Sequence, residues 1–156
     1  MYAHAPIDFY FDFSSPYGYF AAEKIDALAE AHGASALLGT QSRLVIDPNR
    51  GADDPTLVMK LSDGSIVPGN RNADAAEVAR RLQRFHAPYH AAIKEQIARI
   101  GPGAILVSIH SFTPAWKGVK RPWEMGVLYG RDWRLARPLM KQLALAGFSV
   151  GDNEPY

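Results

Sequence analysis

Short apolar runs alternate with stretches of helical spacing along the 156-residue chain. The apolar runs at 7–13, 36–38, 44–46, 104–109, 125–129 and 148–150 predict strands. Apolar positions at helical spacing predict helices over about 16–33, 72–100 and 134–146, with a kink where Pro88 interrupts the second. This alternation predicts one domain over 1–156 with an α/β fold, a three-layer αβα architecture around a mostly parallel sheet.

Polar residues follow the apolar runs at the points where the predicted strands end. Asp47 comes directly after the run at 44–46 and opens a loop rich in Pro, Gly, Asp and Asn, with a predicted hairpin near 61–67. His110 comes directly after the run at 104–109. Because ligands bind at the carboxyl ends of parallel strands, the pattern indicates a hydrolytic site at this edge of the sheet.

The composition excludes several classes of protein. No apolar run approaches the roughly 20 residues of a membrane span, and Asp8 and Asp12 interrupt the stretch that a signal peptide would need. The chain has no cysteine, which excludes disulfides, thiolate zinc ligands and thiol catalysis. We therefore expect a cytoplasmic protein without a membrane partner.

The formal net charge of +1 conceals an uneven distribution. Residues 1–40 carry five acidic side chains against Lys24 alone, a net charge of −4. Residues 41–156 carry 16 basic and 11 acidic side chains, a net charge of +5. The arginines are scattered and form no recognisable nucleic-acid-binding module. The excess of basic side chains therefore favours a small acidic substrate over nucleic acid.

Two arginines flank an apolar run and its exit turn. Arg43 and Arg50 suit a bidentate clamp on a substrate carboxylate, because a planar guanidinium matches the geometry of a carboxylate. The alternative is a structural pairing with Asp47 that pins the loop. Asn49 and Asn70 each have two alternatives as well: a hydrogen bond to substrate or the formation of a turn. The residues alone leave both interpretations open.

Histidines provide a second group of candidates. His110, at the end of a predicted strand, suits a metal ligand or a general acid or base, and the alternative is a hydrogen bond to its own loop. One histidine is not a metal site, because catalytic zinc usually has three protein ligands. Tyr89 and His90 either face a pocket or pack in the protein core, and His86 is a weaker candidate for the same two roles.

Six strings between residues 34 and 156 resemble the N-formylglutamate amidohydrolase family. They are SRLVIDPNR, SDGSIVPGN, PYHAAI, HSFTP, RPWEMGVLYGRD and VGDNEPY. The resemblance implies a metal-dependent α/β hydrolase that releases formate and glutamate from N-formyl-L-glutamate, with zinc or a similar divalent metal as cofactor. It implies that His110 is catalytic and a metal ligand. It also implies substrate-binding roles for Arg43, Asp47, Asn49 and Arg50, with Asn70 and Asn153 as second-rank candidates.

The chain departs from this resemblance upstream of residue 34. The family's acidic metal-binding turn would fall near Gly18, so we expect a partial amidohydrolase-like region over 34–156 with impaired metal binding. Residues 1–33 instead resemble the opening βα unit of hydroxychromene-carboxylate isomerase, a glutathione-using DsbA-like protein in which Ser15 would lie near the glutathione sulfur. The alternatives are an impaired hydrolase, a glutathione-dependent isomerase, and an inert folded fragment that binds small acids or self-associates.

Overall fold

The computed structural model describes residues 7–12, 16–62, 64–116 and 118–154, with the backbone alone at 7–12, 16–23 and 116. Two compact units divide the chain, Met1–Ser111 and Phe112–Tyr156. Both units combine helices with strands, which confirms a mixed α/β fold. The three-layer αβα arrangement and the single domain stay predictions.

The first unit contains five described strands and three helices. Its strands are β1 (Ile7–Asp12), β2 (Ala36–Gly39), β3 (Leu61–Ser62), β4 (Ser65–Ile66) and β5 (Ile105–Ile109). Its helices are α1 (Pro16–Ala31), α2 (Ala75–Arg81) and α3 (Ala87–Ile100), with a 3-10 turn at Pro68–Asn70 and a π turn at Leu82–His86.

The second unit is smaller. Its strands are β6 (Ala115–Trp116), β7 (Val119–Lys120), β8 (Met125–Val127) and β9 (Val150–Asp152), and its helix is α4 (Ala136–Leu145). Strands β6 and β7 form an antiparallel hairpin, and β8 pairs with β9 in parallel. None of the helices in the described part of the chain is long and apolar enough to cross a membrane.

Strand β1 is the middle strand of the described sheet, which has the order β2-β1-β5. Both pairings are parallel, with Phe9 opposite Ala36 on one side and Val107 on the other. The parallel direction of β5 agrees with the prediction. Among the described strands β5 lies at one end of this sheet, and Leu106 is half-exposed.

Helix α1 follows β1 and buries one face. Ile25 and Ala29 are buried at the predicted helical spacing, whereas Leu28 is half-exposed. The chain leaves the helix through Gly33, whose φ of 63° lies in the left-handed region that glycine adopts at low cost. Residues 14 and 15, directly before this helix, lie outside the described residues.

The apolar run at 44–46 forms a turn, and its prediction as a strand was wrong. The backbone N–H of Val45 donates to the carbonyl of Ser42 over 2.8 Å, closing the turn. Ile46 nevertheless enters the core with Leu57 and Val58. The run is therefore apolar because it packs against the core of the first unit, not because it extends a sheet.

The long helical stretch predicted over 72–100 divides into α2, the π turn and α3. Asp74 caps α2, its side chain accepting the backbone N–H of Glu77 over 2.8 Å. At the start of α3 the N–H of Ala87 donates to the carbonyl of Leu82, a wider turn than that of an α-helix. Pro88, which has no N–H to donate, directly follows this wide turn. The predicted interruption near Pro88 is thus confirmed, and it takes the form of a π turn between two helices.

Candidate arginine site and its supporting network

Asp47 lies at the centre of the candidate site and is fully buried. Its Oδ2 accepts a hydrogen bond from Arg43 Nη2 over 2.7 Å and lies 3.3 Å from Arg50 Nε. Its Oδ1 accepts the backbone N–H of Asn49 over 3.1 Å. A buried carboxylate is costly unless it is paired and hydrogen-bonded, and here both oxygens have partners. Asp47 therefore holds the two guanidinium groups close together.

A second carboxylate binds Arg50 from the other side. Asp54 Oδ2 accepts a hydrogen bond from Arg50 Nη1 over 3.1 Å, while its Oδ1 accepts from the backbone N–H and the hydroxyl of Thr56. The hydrogen bonds from Thr56, followed by those from Arg50, lower the pKa of Asp54. Burial opposes the charge of Arg50, but its contacts with Asp54 and Asp47 outweigh that cost and raise the pKa of the guanidinium.

Arg43 and Arg50, hereafter the arginine pair, remain accessible from solvent. Their side chains are 33% and 35% exposed. Together with Asp47 and Asp54 they carry no formal net charge. Of the two carboxylates, Asp47 is buried whereas the side chain of Asp54 is 31% exposed. An incoming anion can therefore compete for Arg50 only with Asp54.

Asn70 braces the turn that carries the arginine pair. Its Nδ2 donates to the carbonyl of Leu44 over 2.7 Å and to that of Met59 over 2.8 Å. Its Oδ1 accepts from Arg81 Nη1 over 2.6 Å. With 2% of its surface exposed, Asn70 has its amide engaged within the protein. A direct bond between Asn70 and substrate would require breaking one of these contacts.

Arg81 was not singled out from the sequence, yet it joins three segments. Its guanidinium donates to the carbonyls of Val45 and Gly69 over 2.8 and 3.1 Å, in addition to Asn70. Its Nε donates to Glu77 Oε1 over 2.8 Å. Arg81 comes three residues after Val78, which places it on the same face of α2 as that apolar residue. This position was the one sign in the sequence that Arg81 is buried. It does not show which groups Arg81 binds or that it supports the turn.

His86 and His90 contact the turn at 47–50, which follows the apolar run at 44–46. His86 Nε2 lies 2.9 Å from the carbonyl oxygen of Arg50, and His90 Nε2 lies 3.0 Å from that of Pro48. The centroids of the two imidazole rings are 4.1 Å apart. Burial of His90, together with the nearby charge of His86, lowers the pKa of the His90 imidazole. The i, i+4 spacing of the two histidines was the sequence signal for this clamp.

His110 lies directly after β5 and is exposed. Its Nδ1 lies 3.0 Å from the carbonyl oxygen of Ser111, the local contact that the sequence left as the alternative to a site. No hydrogen bond or ion pair within the described residues joins His110 to the arginine pair. Within the same residues there is no group of three His, Cys, Asp or Glu side chains that could hold a metal ion. The described residues thus do not fit the ligand set of a catalytic zinc.

Asn153 belongs to the second unit, where it forms a turn after β9. Its φ of 53° is left-handed, a conformation that asparagine tolerates better than most residues. Its Oδ1 accepts the backbone N–H of Tyr129 over 2.8 Å, and its own N–H donates to the carbonyl of Val127 over 3.0 Å. The nearby hydroxyl of Tyr129 donates to Asp152, which raises the pKa of that phenol. These contacts are those of a structural turn.

Comparisons with known proteins give a family match and a similar solved structure. The family model for N-formylglutamate amidohydrolase matches residues 20–156. A crystal structure of the gene product Atu2144 from Agrobacterium tumefaciens is similar, with a TM-score of 0.83 and 28% identity, over 99% of this chain and 71% of that chain. No curated protein matches. Because the family match begins within α1, the isomerase resemblance of residues 1–33 is not supported, and Ser15 lies outside the described residues.

Proposed function

Because the chain belongs to the N-formylglutamate amidohydrolase family, we propose that it binds N-formyl-L-glutamate and that the arginine pair recognises the carboxylates. The observation that supports this proposal is the placement of Arg43 and Arg50 around one buried carboxylate, with about a third of each side chain exposed. Asp47 sets the spacing of the two guanidinium groups and leaves their outer edges to the ligand.

The chemistry of the ligand suits this arrangement. N-formyl-L-glutamate is a dianion at neutral pH, and a guanidinium binds a carboxylate through two parallel N–H···O bonds. Arg50 uses Nη1 for Asp54, so one substrate carboxylate would replace Asp54 while the second meets Arg43. Hydrogen bonds to charged groups contribute about 1.5–3 kcal/mol each. Both substrate carboxylates can be bound by arginine in this way only if Arg50 releases Asp54.

Asn49 is the third element of the proposed site. Its backbone N–H is held by Asp47, whereas the residue itself is exposed and its side-chain amide makes no hydrogen bond with the described residues. An amide can donate to a carboxylate or to the formyl oxygen. We assign Asn49 to orientation of the ligand between the two arginines. Asn70 supports the turn, and Asn153 supports a turn of its own.

Hydrolysis is a separate step. The family resemblance implies a divalent metal, but the described residues supply His110 without two further ligands in reach. We therefore assign no step to a metal and propose that formate release is impaired. A direct assay of formate release, run together with metal analysis of the purified protein, tests this part. Stoichiometric metal with rapid turnover would contradict the impairment and leave the binding proposal intact.

Isothermal titration calorimetry tests the binding proposal. We expect the wild-type chain to bind N-formyl-L-glutamate, and N-formyl-L-leucine, which lacks the second carboxylate, to bind at least about tenfold more weakly. Arg43→Ala and Arg50→Ala should each weaken binding of N-formyl-L-glutamate by about tenfold or more. Arg99→Ala, which removes an exposed arginine of α3, is the matched control and should change nothing. Equal effects of all three substitutions would refute recognition by the arginine pair.

A further inference from the structure

We propose that His86 and His90 are positioning residues that fix the turn carrying Asn49 and Arg50 by donating to its backbone carbonyls. This inference rests on the proposed function for its consequence, since the turn matters to a ligand only if the arginine pair binds one. The contacts themselves, from one imidazole of the π turn and one of α3 to two carbonyls of the same turn, do not depend on the proposed function.

The two contacts bracket the residues that the site needs. His90 holds the carbonyl of Pro48, directly before Asn49, and His86 holds the carbonyl of Arg50, directly after it. Asp47 fixes the start of the same turn through the N–H of Asn49. The turn is thus held from within by a carboxylate and from outside by two imidazoles. Loss of either imidazole leaves one peptide group free to rotate and moves Arg50 relative to Arg43.

The partners determine the protonation of the rings. A carbonyl oxygen only accepts hydrogen bonds, so both Nε2 atoms must carry the hydrogen. In a neutral imidazole Nδ1 then keeps the lone pair. Two cationic rings with centroids 4.1 Å apart would repel each other, and Lys94 lies close enough to His90 to disfavour a further positive charge. A neutral ring can therefore take part in the clamp only in the Nε2–H form.

The wild-type protein provides the first test, through two-bond proton–nitrogen NMR correlations of its histidine rings. These spectra distinguish the two neutral tautomers. We expect the Nε2–H tautomer at His86 and His90 at pH 8. The Nδ1–H tautomer at either ring would overturn the proposal without any substitution, because that Nε2 would have no hydrogen to donate.

Amide hydrogen exchange provides the second test, in variants of each histidine. His86→Ala and His90→Ala should speed exchange of the N–H groups of Asn49 and Arg50 by about tenfold or more, while urea unfolding shows that the fold persists. His90→Gln, whose amide nitrogen reaches a similar position, should restore the slow exchange. His32→Ala removes an exposed histidine of the same unit and is the control. Unchanged exchange in folded alanine variants would overturn the proposal.

Ligand affinity connects the clamp to the site. His90→Ala should raise the Kd for N-formyl-L-glutamate by about three- to tenfold, the equivalent of one hydrogen bond, and His90→Gln should recover most of it. If the wild type itself does not bind the ligand, the proposed function fails, and the exchange of Asn49 and Arg50 still decides the role of the histidines. If the wild type binds and His90→Ala binds equally well, the positioning role is refuted.

Discussion

Arg50 Nη1 donates to Asp54 Oδ2 across 3.1 Å, so the guanidinium assigned to substrate is already paired with a carboxylate of the protein. Both side chains are about a third exposed, which keeps the pair within reach of solvent and of competing anions. The protein's own carboxylate thus acts as a competitor for the ligand. Removal of its charge should improve binding, opposite to the usual effect of a substitution in a site.

We predict that Asp54→Asn lowers the Kd for N-formyl-L-glutamate by about three- to tenfold, measured by calorimetry at low ionic strength. The asparagine oxygen can still accept the N–H of Thr56, so the turn is retained. Asp53→Asn, a neighbouring exposed substitution with the same change in charge, is the control. Weaker binding in Asp54→Asn would show that Asp54 supports the ligand and does not compete with it.

The contact between Asn70 and Arg81 predicts a large effect on stability. Asn70→Ala leaves the carbonyls of Leu44 and Met59 and one N–H of Arg81 without their partner. We expect the free energy of unfolding to fall by about 3 kcal/mol, since an unsatisfied buried group costs about 1–3 kcal/mol and the bond to Arg81 is buried while those to Leu44 and Met59 are partly buried. Urea denaturation measures the change. Asn72→Ala, at an exposed position nearby, should leave stability within about 0.5 kcal/mol.

Glu77 predicts an acid dependence of stability. Hydrogen bonds from Arg80, and then from Arg81, lower its pKa from 4.5 to about 2. A lowered pKa in the folded state means that the unfolded chain takes up the proton first as the pH falls. The contribution of Glu77 is therefore complete above pH 4.5 and is lost as the pH falls from 4.5 toward 2.

We expect Glu77→Gln to flatten the decline in the free energy of unfolding over this range, followed by urea titrations at several pH values. Glu95→Gln, an exposed substitution on α3, should preserve the decline seen in the wild type. If Glu77→Gln and the wild type lose stability in parallel between pH 4.5 and 2, the ion pairs of Glu77 do not contribute.

The arrangement around His110 predicts that binding does not depend on metal. Dialysis against EDTA should leave the Kd for N-formyl-L-glutamate unchanged, because the proposed contacts come from guanidinium and amide groups. His110→Ala should likewise leave the Kd unchanged. Calorimetry with and without added zinc checks both expectations. Binding that requires zinc and is lost in His110→Ala would place a metal in the site and contradict the proposal.

The left-handed turn at Asn153 predicts an order among substitutions. Asn153→Ala loses the bond to Tyr129 and keeps a Cβ at a φ of 53° without the amide that makes this conformation tolerable for asparagine. Asn153→Gly loses the same bond but adopts that φ without strain. We expect the glycine variant to be more stable than the alanine variant by about 1 kcal/mol, measured by thermal unfolding. Equal stability of the two would show that backbone strain does not matter there.

The sequence predicted what depends on neighbours along the chain. Continuous apolar runs located β1, β2 and β5. Arg43 and Arg50 lie four residues before and three residues after Asp47, and both contact it in the structure. Of the two alternatives for these residues, the structure shows the pairing with Asp47 that pins the loop, and the binding of a substrate carboxylate stays a prediction.

The pattern failed where partners are far apart in sequence. The run at 44–46 looks like a strand, but the groups that bond its carbonyls come from Asn70, 26 residues beyond Leu44, and from Arg81, 36 residues beyond Val45. The contacts of His86 and His90 span 36 and 42 residues. Apolar periodicity contains no information about such distant polar pairs, so the support of the site could not be derived from it.

The π turn at Leu82–His86 carries one more residue than a regular helical turn would. Each residue advances an α-helix by about 100°. Removing one residue from this turn would convert it to regular α-helix. His90 would then be rotated by about 100° around the helix axis, away from Pro48. The extra residue of the π turn therefore determines which side of α3 faces the turn at 47–50, and so whether His90 can reach Pro48. Insertions and deletions at this point should be far more damaging than most single substitutions around it.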